Sequence, residues 1–215
     1  MYIKRNLEDT ILKYLDAPEI LAVVGPRQCG KTTMIQHILE SLNGTISVTF
    51  DDRNILNLFE RHTDDFIAAY VKGNKYLFID EFHYAKNGGK ILKYIFDTQK
   101  IKIIISGSSA ADLTIKAVKY LVGRILVFNL YPFNFKEFLL AKDQEYLKLY
   151  ESYKRKFDFK AGEGVRVADT AHRKLLKYYE EYLLFGGYPR VVLEENYESK
   201  KDILRNIYNL SLIHI

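Results

Sequence analysis

Gly25-Pro26-Arg27-Gln28-Cys29-Gly30-Lys31-Thr32, followed by Thr33, spells G-x-x-x-x-G-K-[ST], and each fixed residue in it has a physical job. The glycines let the backbone curl so that successive N–H groups point at phosphate oxygens. Lys31 reaches the β and γ phosphates of a nucleotide as a point charge, and the Thr32 hydroxyl is a ligand for Mg²⁺. A helix opening at Lys31 adds its positive N-terminal end beneath them. Gly25, Pro26, Arg27, Gln28, Cys29, Gly30, Lys31, Thr32 and Thr33 are therefore the expected nucleotide-binding residues. The flanks agree. Glu19 to Val24 is a short apolar run suited to a buried parallel strand, and Ile35, Ile38, Leu39 and Leu42 follow the spacing of a one-faced helix. Asn43-Gly44 supplies its stop.

Further along, Tyr76-Leu77-Phe78-Ile79 reads as a third buried strand carrying Asp80-Glu81 at its end. A carboxylate pair there is a poor structural choice unless a cation compensates it. Asp80 is expected to support Mg²⁺ and Glu81 to activate the water that attacks the γ-phosphate. A kinase transferring phosphate to a bound acceptor needs no such base, so the pair favours a hydrolase. Asp80-Glu81-Phe82-His83 also matches the D-E-x-H of helicases, but those enzymes need two sheet domains, more than 215 residues hold. His83 reads more simply as a cap of the following turn.

Ile46–Phe50, Ile101–Ile105 and Ile125–Phe128 supply the remaining strands, with helices over about 7–15, 54–72 and 109–121 and one after Gly88-Gly89 containing Ile91, Leu92, Ile95 and Phe96. Strands alternating with helices predict an α/β fold, a parallel five-stranded sheet covered on both faces. Ser108, with Ser106 behind it, ends the fourth strand beside the second motif, where a hydroxyl can sense the γ-phosphate. Ser109 suits the cap of the next helix. Arg124, at the start of the fifth strand, is the candidate for neutralising transition-state charge, in its own subunit or a neighbour's.

Tyr131-Pro132 turns the chain out of the sheet. Asn134 and Glu137 form a capping box for one long helical stretch through about residue 155. A loop over 158–168 and a helix over 170–185 follow, the latter ending at Gly186-Gly187-Tyr188-Pro189. The expected division is an ATPase domain over 1–140 and a helical C-terminal region over 141–215. The late tyrosines, Tyr146, Tyr150, Tyr153, Tyr178, Tyr179 and Tyr182, fall at helical spacing and suggest core before partner surface.

The single cysteine, Cys29, excludes an internal disulfide and fits a reducing compartment. No apolar run reaches membrane-span length, and the charged first residues lack a signal-peptide core, so a soluble, cytoplasmic protein is expected. The net charge of +5 is spread along the chain, with Lys154-Arg155-Lys156 its tightest basic cluster. No His/Cys cluster has zinc spacing, and no nucleophile motif supports Ser-His-Asp catalysis.

Six segments together resemble the prokaryotic AAA-like P-loop ATPases of the archaeal-type ATPase kind. They are GPRQCGKTT at Gly25 to Thr33, YLFIDE at Tyr76 to Glu81, IIISGSSA at Ile103 to Ala110, LVGR at Leu121 to Arg124, YPFNFKEFL at Tyr131 to Leu139 and FGGYPRVVL at Phe185 to Leu193. The resemblance implies a sheet with the phosphate-loop strand in its middle, a sensor serine at Ser108 and a preference for ATP. It further implies a C-terminal region that commonly includes a winged-helix-like module, and nucleotide-driven switching, with DNA for some members. That family usually continues beyond this length, and Ser211 to Ile215 ends on apolar residues without a cap, so a truncated C-terminal module is expected. The expected function is Mg²⁺-dependent ATP hydrolysis that moves an attached C-terminal module. The alternative is a nucleotide-gated switch with little turnover that engages DNA or a protein partner. A homo-oligomer is compatible with either.

Overall fold

In the computed structural model, residues 2–108, 119–159 and 169–212 are described. The chain divides into two compact units, Lys4–Tyr131 and a second made of Met1–Ile3 with Pro132–Ile215. The division falls at the Tyr131-Pro132 turn rather than at residue 140. Phe138 and Leu139 explain the shift: both are buried in a cluster with Phe133 and Val192, on the C-terminal side.

Five strands form the sheet of the first unit: β1 Ile20–Val24, β2 Thr45–Thr49, β3 Tyr76–Asp80, β4 Lys102–Gly107 and β5 Ile125–Asn129. Their order is β2-β3-β4-β1-β5, and every pairing is parallel. The phosphate-loop strand β1 is internal, between β4 and β5, while β4 holds the centre. Strand side chains alternate between two cores, as the period of two requires. Ile20, Ala22, Val24, Leu77, Ile79, Ile103 and Ile105 face one way, and Leu21, Val23, Phe78 and Ile104 the other.

Helices cover each face. Ile11 of α1 (Asn6–Lys13) and Met34, Ile35 and Ile38 of α2 (Lys31–Glu40) close one core. The other is closed by Phe59 of α3 (Arg53–Arg61), Phe66 of α4 (Thr63–Phe66) and Leu92 and Ile95 of α5 (Gly88–Thr98). One helical expectation changes here. The stretch 54–72 is three pieces, α3, α4 and a π-helical turn Ile67–Val71, because His62 leaves helical geometry at φ −132°.

The second unit is helical: α6 Phe135–Lys142, α7 Gln144–Phe159, α8 Asp169–Phe185, α9 Pro189–Leu193 and α10 Tyr197–Leu212. The Asn134–Glu137 capping box is present, with Glu137 N–H to Asn134 Oδ1 at 2.9 Å and Asn134 N–H to Glu137 at 3.0 Å. The single long helix expected from it is two helices, broken at Asp143 (φ −160°, ψ 100°). Asp143 then takes the N–H groups of Glu145 and Tyr146 on one oxygen, each at 3.2 Å, and so starts α7. Tyr150, Tyr178 and Tyr182 are partly buried against the core of this unit, while Tyr179 is exposed; the Phe135 ring lies 5.5 Å from Tyr150, 5.3 Å from Tyr179 and 5.5 Å from Tyr182. The Ser109 cap, most of the helix expected over 109–121, and nearly all of the loop expected over 158–168 lie outside the described residues.

Candidate nucleotide site

Parallel pairing aligns the C-terminal ends of β1, β3 and β4 at one edge of the sheet, and that edge carries the candidate site. The loop leaving β1 turns through Gln28 at φ +62° and Gly30 at φ +92° before α2 begins at Lys31. Gly25 has no room for a side chain, since a Cβ there would stand 2.0 Å from the Leu130 carbonyl oxygen. Cys29 is fully buried and its thiol donates to the same carbonyl at 3.4 Å. Burial pushes that thiol's pKa up, so Cys29 is a packing residue and not a reactive thiolate.

Lys31 is 5% exposed, with its ammonium donating to the carbonyls of Gly25 at 2.9 Å and Pro26 at 3.0 Å. The lysine is thus folded back over its own loop. Thr32, the next residue, donates its hydroxyl to Asp80 Oδ2 at 2.6 Å. Asp80 accepts on its other oxygen from the Glu81 N–H at 3.0 Å and from the Ser106 hydroxyl. Three segments distant in sequence therefore converge on one carboxylate.

Glu81 adopts a left-handed conformation at φ +51°, an uncommon choice for a glutamate and a recurrent one at functional sites. The buried Phe82 ring holds the turn behind it, 5.8 Å from Phe50 and 6.1 Å from Phe59. His83 Nδ1 lies 3.0 Å from Glu81 Oε2. The approach is close, yet neither atom has a well-formed hydrogen bond. His83 is the main influence holding the Glu81 carboxyl below the usual carboxylate range; burial opposes it, and Lys31 and Arg27 add to it.

An oxygen set of one hydroxyl and one carboxylate suits Mg²⁺, which keeps several waters and takes its other ligands from phosphate. Thr32 and Asp80 are the residues that would hold it. Among the described residues no cluster of three or more His, Cys, Asp or Glu offers a metal cage of another kind.

Not every expected residue gathers here. Ser108 follows the last residue of β4, and the serine joined to Asp80 is the fully buried Ser106. Arg124 stands at the opposite edge of the sheet, where its carbonyl accepts the Ile20 N–H at 2.8 Å and its Nε donates to Asp97 at 3.0 Å. At about 3.3 Å per strand residue, the five residues of β1 separate it from the phosphate loop by roughly 16 Å. Arg124 therefore lies away from the phosphate loop of its own chain. His83 emerges from the geometry instead, beside Glu81, although in sequence it fitted a turn more simply.

A family profile described as an AAA domain matches residues 17–139, more than half the chain. The chain belongs to the AAA domain family. Among curated proteins, this AAA chain is 29% identical over 191 residues to the uncharacterized protein MJ1544 of Methanocaldococcus jannaschii, covering 87% of the chain and 39% of that protein. It is 26% identical to an uncharacterized protein of Haemophilus influenzae, covering 97% of the chain and 49% of the relative. The chain thus spans less than half the length of these relatives. Among solved structures, the AAA chain is similar to the Pif1 helicase of Candida albicans, with 16% identity, a TM-score of 0.41, and coverage of 82% of this chain and 48% of that one. It is also similar to a chain in the structure of Drosophila ORC bound to AT-rich DNA and Cdc6, with 13% identity, a TM-score of 0.43, and coverage of 83% and 80%. No helix among the described residues is long and apolar enough to cross a membrane.

Proposed function

We propose that this AAA-type P-loop NTPase domain binds ATP with Mg²⁺ and hydrolyses it, using the energy to move the C-terminal region. The observation that carries the reading is the convergence of Lys31, Thr32, Asp80 and Glu81 at one sheet edge, with Thr32 and Asp80 2.6 Å apart. Loop N–H groups and Lys31 grip the β and γ phosphates. Thr32 and Asp80 would hold Mg²⁺, which would supply neutralisation of phosphate charge. Glu81 accepts a proton from water as the water oxygen bonds to the γ-phosphorus and the bond to the β–γ bridging oxygen breaks, giving ADP and phosphate. Ser106 holds Asp80 in place, and Ser108 stands at the strand end as the candidate γ-phosphate sensor.

A second reading, a nucleotide-gated switch that turns over slowly, is favoured by the resting engagements: Lys31 sits on its own loop and Glu81 on His83. In either case DNA or a protein partner is assigned to the C-terminal region. Lys154-Arg155-Lys156 is the basic cluster for a salt-sensitive contact with DNA.

The deciding experiment is Mg²⁺-dependent ATP turnover of the parent and Glu81→Gln, with binding followed by calorimetric titration. Turnover falls by about 10²-fold or more in Glu81→Gln while ATP still binds. Lys31→Ala weakens binding itself. Equal turnover in the parent and Glu81→Gln removes Glu81 as the base; binding without turnover in both selects the gated switch.

A further inference from the structure

The chain passes between its two units twice, from Ile3 to Lys4 and from Tyr131 to Pro132. Arg5 stands one residue beyond the first passage and is 4% exposed. Its Nη2 donates at 2.6 Å to the carbonyl of Tyr131, the last residue before the second passage. Its Nη1 donates at 2.8 Å to the carbonyl of Cys29, inside the phosphate loop. One guanidinium thus ties the loop to both passages. A planar guanidinium spans these two carbonyls from two separate nitrogens in a fixed fork, whereas an ammonium must reach both from one nitrogen.

Two further contacts join the same places. The Leu130 N–H donates to the Val24 carbonyl at 2.8 Å, extending the β1–β5 ladder to the base of the loop. Gly25 and Cys29 both pack on the Leu130 carbonyl, leaving no space for even a methyl group at Gly25. Backbone lies against backbone here, and close-packed contacts of this kind transmit displacement instead of absorbing it.

The loop also has a reason to shift. Lys31 now holds the Gly25 and Pro26 carbonyls, and phosphate oxygens compete for that ammonium. Released carbonyls must find new partners, on the very stretch that rests on Leu130. The Cys29 carbonyl, which would repel phosphate if it turned inward, is retained by the Arg5 cation.

We propose that Arg5 is a positioning residue that couples occupancy of the phosphate loop to the two chain passages, and so relays nucleotide state toward the C-terminal region. This rests on the nucleotide-binding reading above.

The test compares the parent with Arg5→Lys, using calorimetric titration with Mg²⁺ and a non-hydrolysable ATP analogue and amide hydrogen exchange over residues 2–6 and 130–133. In the parent, saturating nucleotide changes exchange at both passages by about tenfold. In Arg5→Lys the analogue still binds, and that nucleotide-dependent change disappears. A merely structural arginine would lower the melting temperature without removing the response. The same response in Arg5→Lys overturns the proposal, as does a parent that binds nucleotide with unchanged exchange at residues 130–133. A parent that binds no nucleotide overturns the nucleotide reading itself, and calorimetry tells the two failures apart. Arg5→Gln replaces Arg5→Lys if the latter does not fold, and the parent arm decides alone if neither does.

Discussion

Asp80 shows how little of this site is local: its two oxygens are engaged by Thr32, Ser106 and the backbone of Glu81. The P-loop lysine and threonine and the Asp80-Glu81 pair were legible in sequence, since each is a short motif whose chemistry needs those residue types. Ser106 was legible only as the residue behind Ser108, because strand period puts both serines on one face and cannot say which one meets a neighbour. His83 carries a prediction at this scale. The folded pKa of Glu81 is depressed, chiefly by His83, so its base form is present above that value and is lost as pH falls through it. His83→Ala removes the main depressing influence and leaves burial, so the acid limb of the turnover rate moves upward, toward or beyond the ordinary carboxylate range. Single-turnover rates across the acid range check this, and an unmoved limb would show that His83 does not tune the base.

Among the elements, the strands followed their apolar runs closely, while helix boundaries were decided by single capping residues. Asp143 is the clearest case. The sequence pattern runs unbroken from α6 into α7, but the Asp143 side chain caps α7 and its other oxygen takes Lys174 at 2.8 Å and the Tyr178 hydroxyl at 3.0 Å. Those partners lie on α8, far along the chain, so no local window reveals the break. Lys174 is the leading cause of the depressed Asp143 pKa. A depressed carboxylate contributes stability that is present above its unfolded pKa and lost as pH falls through the folded one. Asp143→Ala should therefore cost about 1 kcal/mol near neutral pH through the lost cap, and should flatten the decline of stability in acid. Urea denaturation at neutral and acid pH measures both, and an equal acid decline in parent and variant would contradict the assignment.

At the level of the whole molecule, the strand order places β4 between β1 and β3 and sends Arg124 to the far edge of the sheet. Its guanidinium is about one-third exposed and paired with Asp97, an exposed ion pair worth at most about 1 kcal/mol. Such a pair exchanges readily for phosphate, which leaves a neighbour's site as the place where Arg124 could act. If it does, turnover per chain rises with protein concentration in the parent, and in Arg124→Ala stays at the low monomer rate, up to about 10³-fold lower. Turnover measured alongside light scattering checks this. Proportional activity at every concentration, unaffected by Arg124→Ala, would leave the arginine a surface residue.

The sequence by itself determined the phosphate loop, the alternation of strand and helix, the acidic pair at the end of β3 and the turn at Tyr131-Pro132. These are written in residue type and short-range period, which fix backbone preference and which face is apolar. Only the tertiary structure decided which strands are neighbours, and with that the choice of Ser106 at Asp80 and the approach of His83 to Glu81. It alone revealed Arg5 between Cys29 and Tyr131, across 126 residues of chain. Such contacts depend on the order in which strands assemble and on which buried carbonyl lacks a partner, and neither is encoded in any single stretch of residues.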